Sequence, residues 1–297
     1  GETIGFGGRV FGDEKPKYLN SPETAVFHKG SELYGLFEAR EAIREKNYII
    51  VTEGYMDVVA LAQLGYANAV ATLGTACTSE HIRKLYRYSD KVVFSFDGDS
   101  AGQRAAVKAL QATLPFATDI RSAKFLFLPE QHDPDSFIRA NGTDAFEALV
   151  QTSVPLSRFL IESASLDCDL SSAEGRSLMA SNALPLWAEL PDGVLKRQLI
   201  AEIAQIIKLS ESQLADLWQL KMQTQPIHLS RSSSKTPQQS YKDKEAYSEQ
   251  YGSPPDSSPH EGADYYAQAA HHFNDASSKV SVYQQYTQKP SSTWKNG

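Results

Sequence analysis

The chain has 297 residues, enough for about two domains of ordinary size, and a formal net charge of −7. That balance excludes a protein whose whole surface grips nucleic acid, so any such contact has to be local. Cys77 and Cys168 lie far apart and in no CxxC spacing, which excludes a disulfide framework and a zinc site and predicts two ordinary intracellular thiols. No apolar run approaches the roughly 20 residues of a membrane span, and no signal-like segment opens the chain, so a cytoplasmic protein is expected. The missing initiator Met and the opening GETIGFGGRV suggest a fragment.

Residues 1–47 begin Gly-rich and pass through PKYLNSPET, where Pro16 and Pro22 stiffen a loop, and a turn from Phe27 to Gly30. A helical pattern follows, with Leu33, Leu36, Phe37 and Ile43 on one side, predicting an extension packed against a sheet. Residues 48–150 then alternate strands and helices. Strands are expected at 48–52, 67–72, 91–96 and about 120–128. Helices are expected at 54–64, with Tyr55, Val58, Val59 and Ala62 on one face and a stop at Gly65, then from a Thr78 or Ser79 cap through Tyr88, and at 101–113. Such alternation indicates right-handed βαβ units and a parallel sheet.

Residues 151–224 read as helical throughout and free of strands. Apolar residues at 195, 199, 200, 203, 206 and 207 share one face, Ser210 and Gln213 make a capping box, and Trp187 and Trp218 are expected core anchors. Beyond residue 230 only Phe273, Val280 and Val282 represent Val, Ile, Leu, Met and Phe. Residues 225–297 are therefore expected to be a disordered, low-complexity tail, with too little apolar area to offset the entropy of ordering it.

Three apolar runs end in acidic turns: YIIVT in EGYMD at 53–57, KVVFSF in DGDSAG at 97–102, and KFLFL in HDPDSF at 132–137. In an open parallel sheet the strand ends share one edge, where ligands bind. Glu53, Asp57, Asp97, Asp99, Asp133 and Asp135 are thus expected as neighbours. Oxygen donors suit magnesium, which is held by one or two carboxylates plus substrate phosphates, and paired ions can clamp the oxygens of a phosphoryl transfer. Asp97 and Asp99 flank a Gly and can approach one ion. Glu53 is either a third ligand or an acid/base for the transferred proton. His132 lacks a second His or Cys at metal spacing and reads as a loop residue.

EGYMDVVAL, DGDSAGQRAA and DPDSF resemble the toprim domain, which occurs in DnaG-type bacterial primases, topoisomerases and some nucleases. GFGGRV, PKYLNSPET, FHKG and LYGL narrow the resemblance to the primases. It covers residues 1 to about 222 and implies an α/β toprim sheet flanked by helices, followed by a helical bundle. Residues 1–47 would end the basic, RNA-polymerase-like subdomain, 48–150 would be the catalytic domain and 151–224 a helical subdomain. The implied activity is DNA-templated synthesis of short RNA primers for replication by metal-dependent nucleotidyl transfer. The implied partners are single-stranded DNA, ribonucleoside triphosphates, the RNA primer and the replicative helicase within a primosome.

By resemblance Glu53, Asp97 and Asp99 bind catalytic Mg2+ (Mn2+ being the other candidate), and Asp57, Asp133 and Asp135 match further acidic positions of that site. Arg9, Lys17 and Lys29 match basic positions for nucleotide and nucleic acid. Tyr18, beside Lys17, is placed either to stack on a base or to pack. The family's zinc-binding domain and the start of its core have no counterpart in this sequence, and the polar tail resembles a linker in which no helicase-binding domain is recognisable. The chain alone is therefore expected to prime poorly. Two other readings stand beside this one. A toprim nuclease or topoisomerase subunit would use the same edge, though a topoisomerase also needs a nucleophilic Tyr on a separate domain. A non-catalytic helicase- or nucleic-acid-binding scaffold would be expected to lose clustered carboxylates, since like charges repel without a metal.

Overall fold

A computed structural model of the chain describes residues 1–10, 18–129 and 132–224. The expectations for Lys17 and for the 225–297 tail lie outside the described residues. Those from Gly1 to Lys221 form one unit.

Its centre is a five-stranded sheet made by β3 (Ile49–Thr52), β4 (Ala69–Ala71), β5 (Lys91–Phe96), β6 (Ser122–Phe127) and β7 (Val154–Pro155), in the order β4-β3-β5-β6-β7. The first four strands are parallel, and β7 runs antiparallel at the edge. Strand periodicity sends alternate side chains to opposite faces. Ile49, Val51, Val92, Phe94, Phe96 and Phe125 therefore face one core, whereas Ile50, Val93 and Leu126 face another.

Helices cover both faces. α1 (Leu36–Lys46), α3 (Ser79–Leu85), α4 (Ser100–Thr113) and α7 (Leu156–Ala164) close the first core. α2 (Tyr55–Gln63), α5 (Pro134–Asn141) and α6 (Thr143–Thr152) close the second. Three further helices, α8 (Ala173–Ala188), α9 (Val194–Ile207) and α10 (Glu211–Thr224), extend the first core as far as Trp218. There the Trp187 and Trp218 rings meet at 5.0 Å between centroids, as anchors should.

Several local expectations need correction. The buried face of α2 is Tyr55, Val58 and Leu61, while Val59 and Ala62 face outward. In α1 the face is Leu36, Ala39 and Ile43, and Phe37 lies outside under the Arg40 guanidinium. Residues 151–224 do contain a strand, because β7 pairs Val154 with Phe125 and Pro155 with Lys124. Its Pro sits where a chain with no N–H to donate is tolerated, on a sheet edge. The extension before the sheet also forms an antiparallel ribbon, β1 (Gly7–Arg9) with β2 (Tyr18–Asn20). As expected, the extension packs on the sheet, through a bridge between Tyr34 and Ala71.

Candidate active site at the strand-end crevice

The path from β3 through α2 to β4 lies on one side, and the path from β4 through α3 returns to β5 on the other side of β3. That reversal opens a crevice at the C-terminal ends of β3 and β5, the place where open α/β sheets bind ligands. Glu53 directly follows β3, and Asp97 and Asp99 directly follow β5.

Local hydrogen bonds fix the acidic turns. Asp57 accepts the Gly54 amide at 3.2 Å, Asp99 caps α4 through the Gly102 amide at 2.7 Å, and Asp133 caps α5 through the Ser136 amide at 2.8 Å. Each bond uses one carboxylate oxygen. Asp135 instead holds Arg139 at 2.7 Å along its own helix, so part of its charge is already met. Helix capping thus accounts for the position of three carboxylates without assigning all their oxygens.

The group is electrostatically strained. Glu53 is pushed up to about 7, first by the loss of hydration among its neighbours and then by Asp97, Asp99 and Asp57, while the Asp97 amide pulls the other way. Asp57 is pushed up to about 6 by burial, then by Asp97 and Asp133. Burial, Asp133 and Asp99 also raise Asp97. Glu53 is exposed, so the like-charge contribution is the part that an added cation would relieve most directly. Glu53, Asp57, Asp97, Asp99 and Asp133 feel one another's charge along this edge and Asp135 feels Asp57 alone, but among the described residues no three His, Cys, Asp or Glu close around one point. An all-oxygen set in an open arrangement fits a hard cation that completes its shell with water and phosphate, and does not fit zinc.

The β1–β2 ribbon sits above this edge, tied by Asn20 Nδ2 donating to the Leu73 carbonyl at 3.1 Å. Arg9 pairs with Tyr18 across the ribbon and lies 5.7 Å from its ring centroid. Tyr18 puts an edge against Tyr55, 5.5 Å between centroids, so packing occupies part of its ring. Lys29 lies in a turn held by His81, whose Nε2 donates to the Lys29 and Glu32 carbonyls at 3.0 and 3.1 Å. Among the described residues no ion pair joins Arg9 or Lys29 to the acidic edge.

Three residues of the site went unread in the sequence. Gly102 is one, because a Cβ there would fall on the Asp97 carbonyl oxygen. This last residue of DGDSAG lets α4 start hard against β5, and its place beside the two Asp was the available signal. Asn20 and Tyr55 are the others: Asn20 Oδ1 and the Tyr55 hydroxyl are buried with no hydrogen-bond partner among the described residues. Both lie inside strings read above, PKYLNSPET and EGYMD, but nothing in those strings marks the unmet polar atoms.

Residues 50–138 match the family described as Toprim-like, and residues 1–40 match the N-terminal domain of the DNA primase catalytic core. A DNA primase domain of Pseudomonas aeruginosa superposes with a TM-score of 0.70 at 49% identity, covering 73% of this chain and 68% of that one. The chain belongs to the DnaG-type DNA primases. A DNA primase of Pseudomonas putida is 53% identical over 220 residues, 74% of this chain and 33% of that protein. The primase of Escherichia coli K12 is 49% identical over 218 residues, 73% of this chain and 38% of that protein. The chain thus spans only a third or a little more of the curated primases that it matches. A DnaG catalytic domain described as bound to ssDNA superposes with a TM-score of 0.65 at 49% identity, covering 69% of this chain and 66% of that one. One expectation is overturned: residues 157–212, from α7 through α9 and into α10, match the DnaB-helicase binding domain of primase. That segment is recognisable after all, and it lies in the helical region, where generic amphipathic periodicity hid it.

Proposed function

We propose that this chain supplies the catalytic edge of a primase, an enzyme that copies single-stranded DNA into short RNA primers. The carrying observation is the crevice at the β3/β5 reversal, where Glu53 and Asp57 are held far above their ordinary proton affinities in a chain of primase ancestry. Residues 1–47 would form the end of the RNA-polymerase-like subdomain, 48–150 the catalytic domain and 151–224 a helical subdomain. Single-stranded DNA, ribonucleoside triphosphates and the growing primer are the proposed ligands. Replicative helicase is the proposed partner of the 157–212 helices, and the setting is the replication fork in the cytoplasm.

Glu53, Asp97 and Asp99 would hold Mg2+ or Mn2+, with Asp57, Asp133 and Asp135 as the outer acidic groups. When bound, the ion supplies charge neutralisation at the phosphates and acidifies the attacking hydroxyl. The chain's own groups do the rest. Asp99 and Asp57, fixed by their amide bonds, set the spacing of the edge. Glu53 serves either as a third ligand of the ion or, where it does not bind the ion, as the base that takes up the proton of the primer 3′-hydroxyl. Arg9, Lys17 and Lys29 would meet phosphates of template or nucleotide, and Tyr18 would offer the part of its face not spent on Tyr55.

The test is incorporation of labelled ribonucleotides on a single-stranded DNA template in magnesium by the full-length primase that contains this chain, parent against Asp97→Ala. Loss of about a hundredfold or more is expected with the circular dichroism unchanged. Equal incorporation would remove Asp97 from the site.

A further inference from the structure

A groove of about 310 Å³ lies in the helical region, among α8, the end of α9 and α10. Small residues open it. Ala173, Ser177 and Ala180 follow one another at helical-turn spacing along one face of α8, so no large side chain of that helix closes the groove. Ala180 and Ile207 are buried at its floor, while Leu209 and Leu217 are left exposed along it. Arg176, Lys208 and Lys221 stand among its lining residues, and no carboxylate does. In a chain of net charge −7 that is a local reversal of sign. Arg176 is held in place but not used up: its Nη1 donates to the Leu170 and Ser171 carbonyls at 3.0 and 2.8 Å, and among the described residues its Nε and Nη2 make no bond. The Asp169 carboxyl is lowered first by the Ser171 hydroxyl and amide, which it accepts at 2.6 and 3.0 Å, and only last by Arg176. Lys208, in a left-handed turn after α9, makes no ion pair among the described residues. Lys221 donates to the Ser181 hydroxyl at 3.2 Å.

We infer that this groove docks a partner protein through a peptide segment that carries carboxylates beside aliphatic side chains. The aliphatic side chains cover Ala180 and Ile207 and pack against Leu209 and Leu217, and the carboxylates meet Arg176 and the two lysines. Arg176 suits this role because a guanidinium already fixed by backbone carbonyls loses little freedom when it takes a carboxylate on its open edge. Both halves of the segment are needed. Nucleic acid would use the cations, yet no aromatic ring lines the groove for a base to stack on, and phosphates gain nothing from an apolar floor. A wholly apolar partner would strip water from the cations and return no hydrogen bond. The inference stands on the groove alone, and neither the nucleotidyl-transfer reading nor the helicase reading of residues 157–212 supports it.

The experiment is fluorescence anisotropy on the whole chain with labelled synthetic peptides of equal length: one of glutamates and leucines, one with its leucines replaced by serines, and one with its glutamates replaced by lysines. A labelled single-stranded DNA oligonucleotide is the fourth probe. The glutamate and leucine peptide is expected to bind, less tightly as salt rises, and the other two peptides to bind about tenfold more weakly or worse. Lys208→Gln should weaken the first peptide about threefold, the scale of an exposed charge pair. Ser177→Leu, at an exposed helical position, fills the groove and should abolish binding with the melting temperature unchanged. Lys91→Gln, at the start of β5, should change nothing. A parent that does not bind the first peptide overturns the inference, as does one that binds the serine peptide equally well. So does an affinity that neither Ser177→Leu nor Lys208→Gln alters. Oligonucleotide binding that both groove variants weaken would make the groove a nucleic-acid site and overturn it too.

Discussion

At the residue scale the site depends on how little room its backbone leaves. Gly102 is buried at the first turn of α4 and lies against the backbone of Asp97 so closely that a methyl group cannot fit without displacement of strand end or helix. Its amide also donates to Asp99, so one residue positions both aspartates of DGD. Gly102→Ala is therefore expected to disturb the site more than its size suggests. Backbone shifts forced by overpacking typically cost about 1–3 kcal/mol, and the magnesium response should weaken along with stability. Thermal melts with and without magnesium check this. A variant with the parent's melting temperature and the parent's magnesium shift would show that the helix start can yield without moving Asp97. The carboxylates themselves were legible because each follows an apolar run directly. Gly102, Asn20 and Tyr55 were not read, because close approach and unmet polar atoms are three-dimensional facts, and only Gly102 carried a signal, its place beside the two Asp of DGDSAG.

At the scale of elements, what was legible is what local bonds decide. Thr78 caps α3 through the His81 amide, and Ser210 and Gln213 exchange backbone bonds at the start of α10, both as their spacing predicts. The face of α2 was misread because MDVVALA is apolar nearly all round, so periodicity offers no single stripe and tertiary packing chooses. β7 was missed because two residues cannot show an alternation. A contact between distant segments is less legible still. The α9 helix begins after Gly193 with no side-chain cap of its own, and Asp119, from the loop before β6, accepts the Val194 and Leu195 amides at 3.1 and 2.8 Å. Those two bonds hold the Asp119 carboxyl below its usual range. Asp119→Ala should therefore loosen the start of α9 locally. Amide exchange at Val194 and Leu195 is expected to quicken while β5 amides keep their protection, and the effect should be mimicked in the parent as pH falls through the lowered value. Equal exchange in parent and variant would leave α9 without need of this cap.

At the scale of the whole molecule, topology follows from the order of patterns: strand, helix, strand, with one reversal, is enough to place Glu53 beside Asp97 before any coordinate is known. The consequence is a fold that carries its own repulsion. A carboxyl whose folded-state pKa is raised stabilises the fold below the unfolded value, and that contribution is lost as pH rises through the folded value. For Glu53 the window runs from about 4.5 to about 7, and for Asp57 from about 3.8 to about 6. Magnesium competes with those protons, so its binding should be weak at pH 5 and full at pH 8. Binding to the folded chain alone adds about 2.7 kcal/mol at a hundredfold excess over Kd. For a chain of this size each kcal/mol raises the melting temperature by roughly 2–4 °C. A magnesium shift of about 5–10 °C is thus expected at pH 8, shrinking toward zero at pH 5, while other titrating groups such as His81 move both curves together and cancel in the difference. Glu53→Gln should reduce the shift and flatten its pH dependence between pH 6 and 8. Melting the parent and variant with magnesium and with an equal ionic strength of sodium chloride separates bound cation from screening. A shift of the same size at pH 5 and pH 8, or one reproduced by sodium, would mean that the acidic edge does not hold the ion.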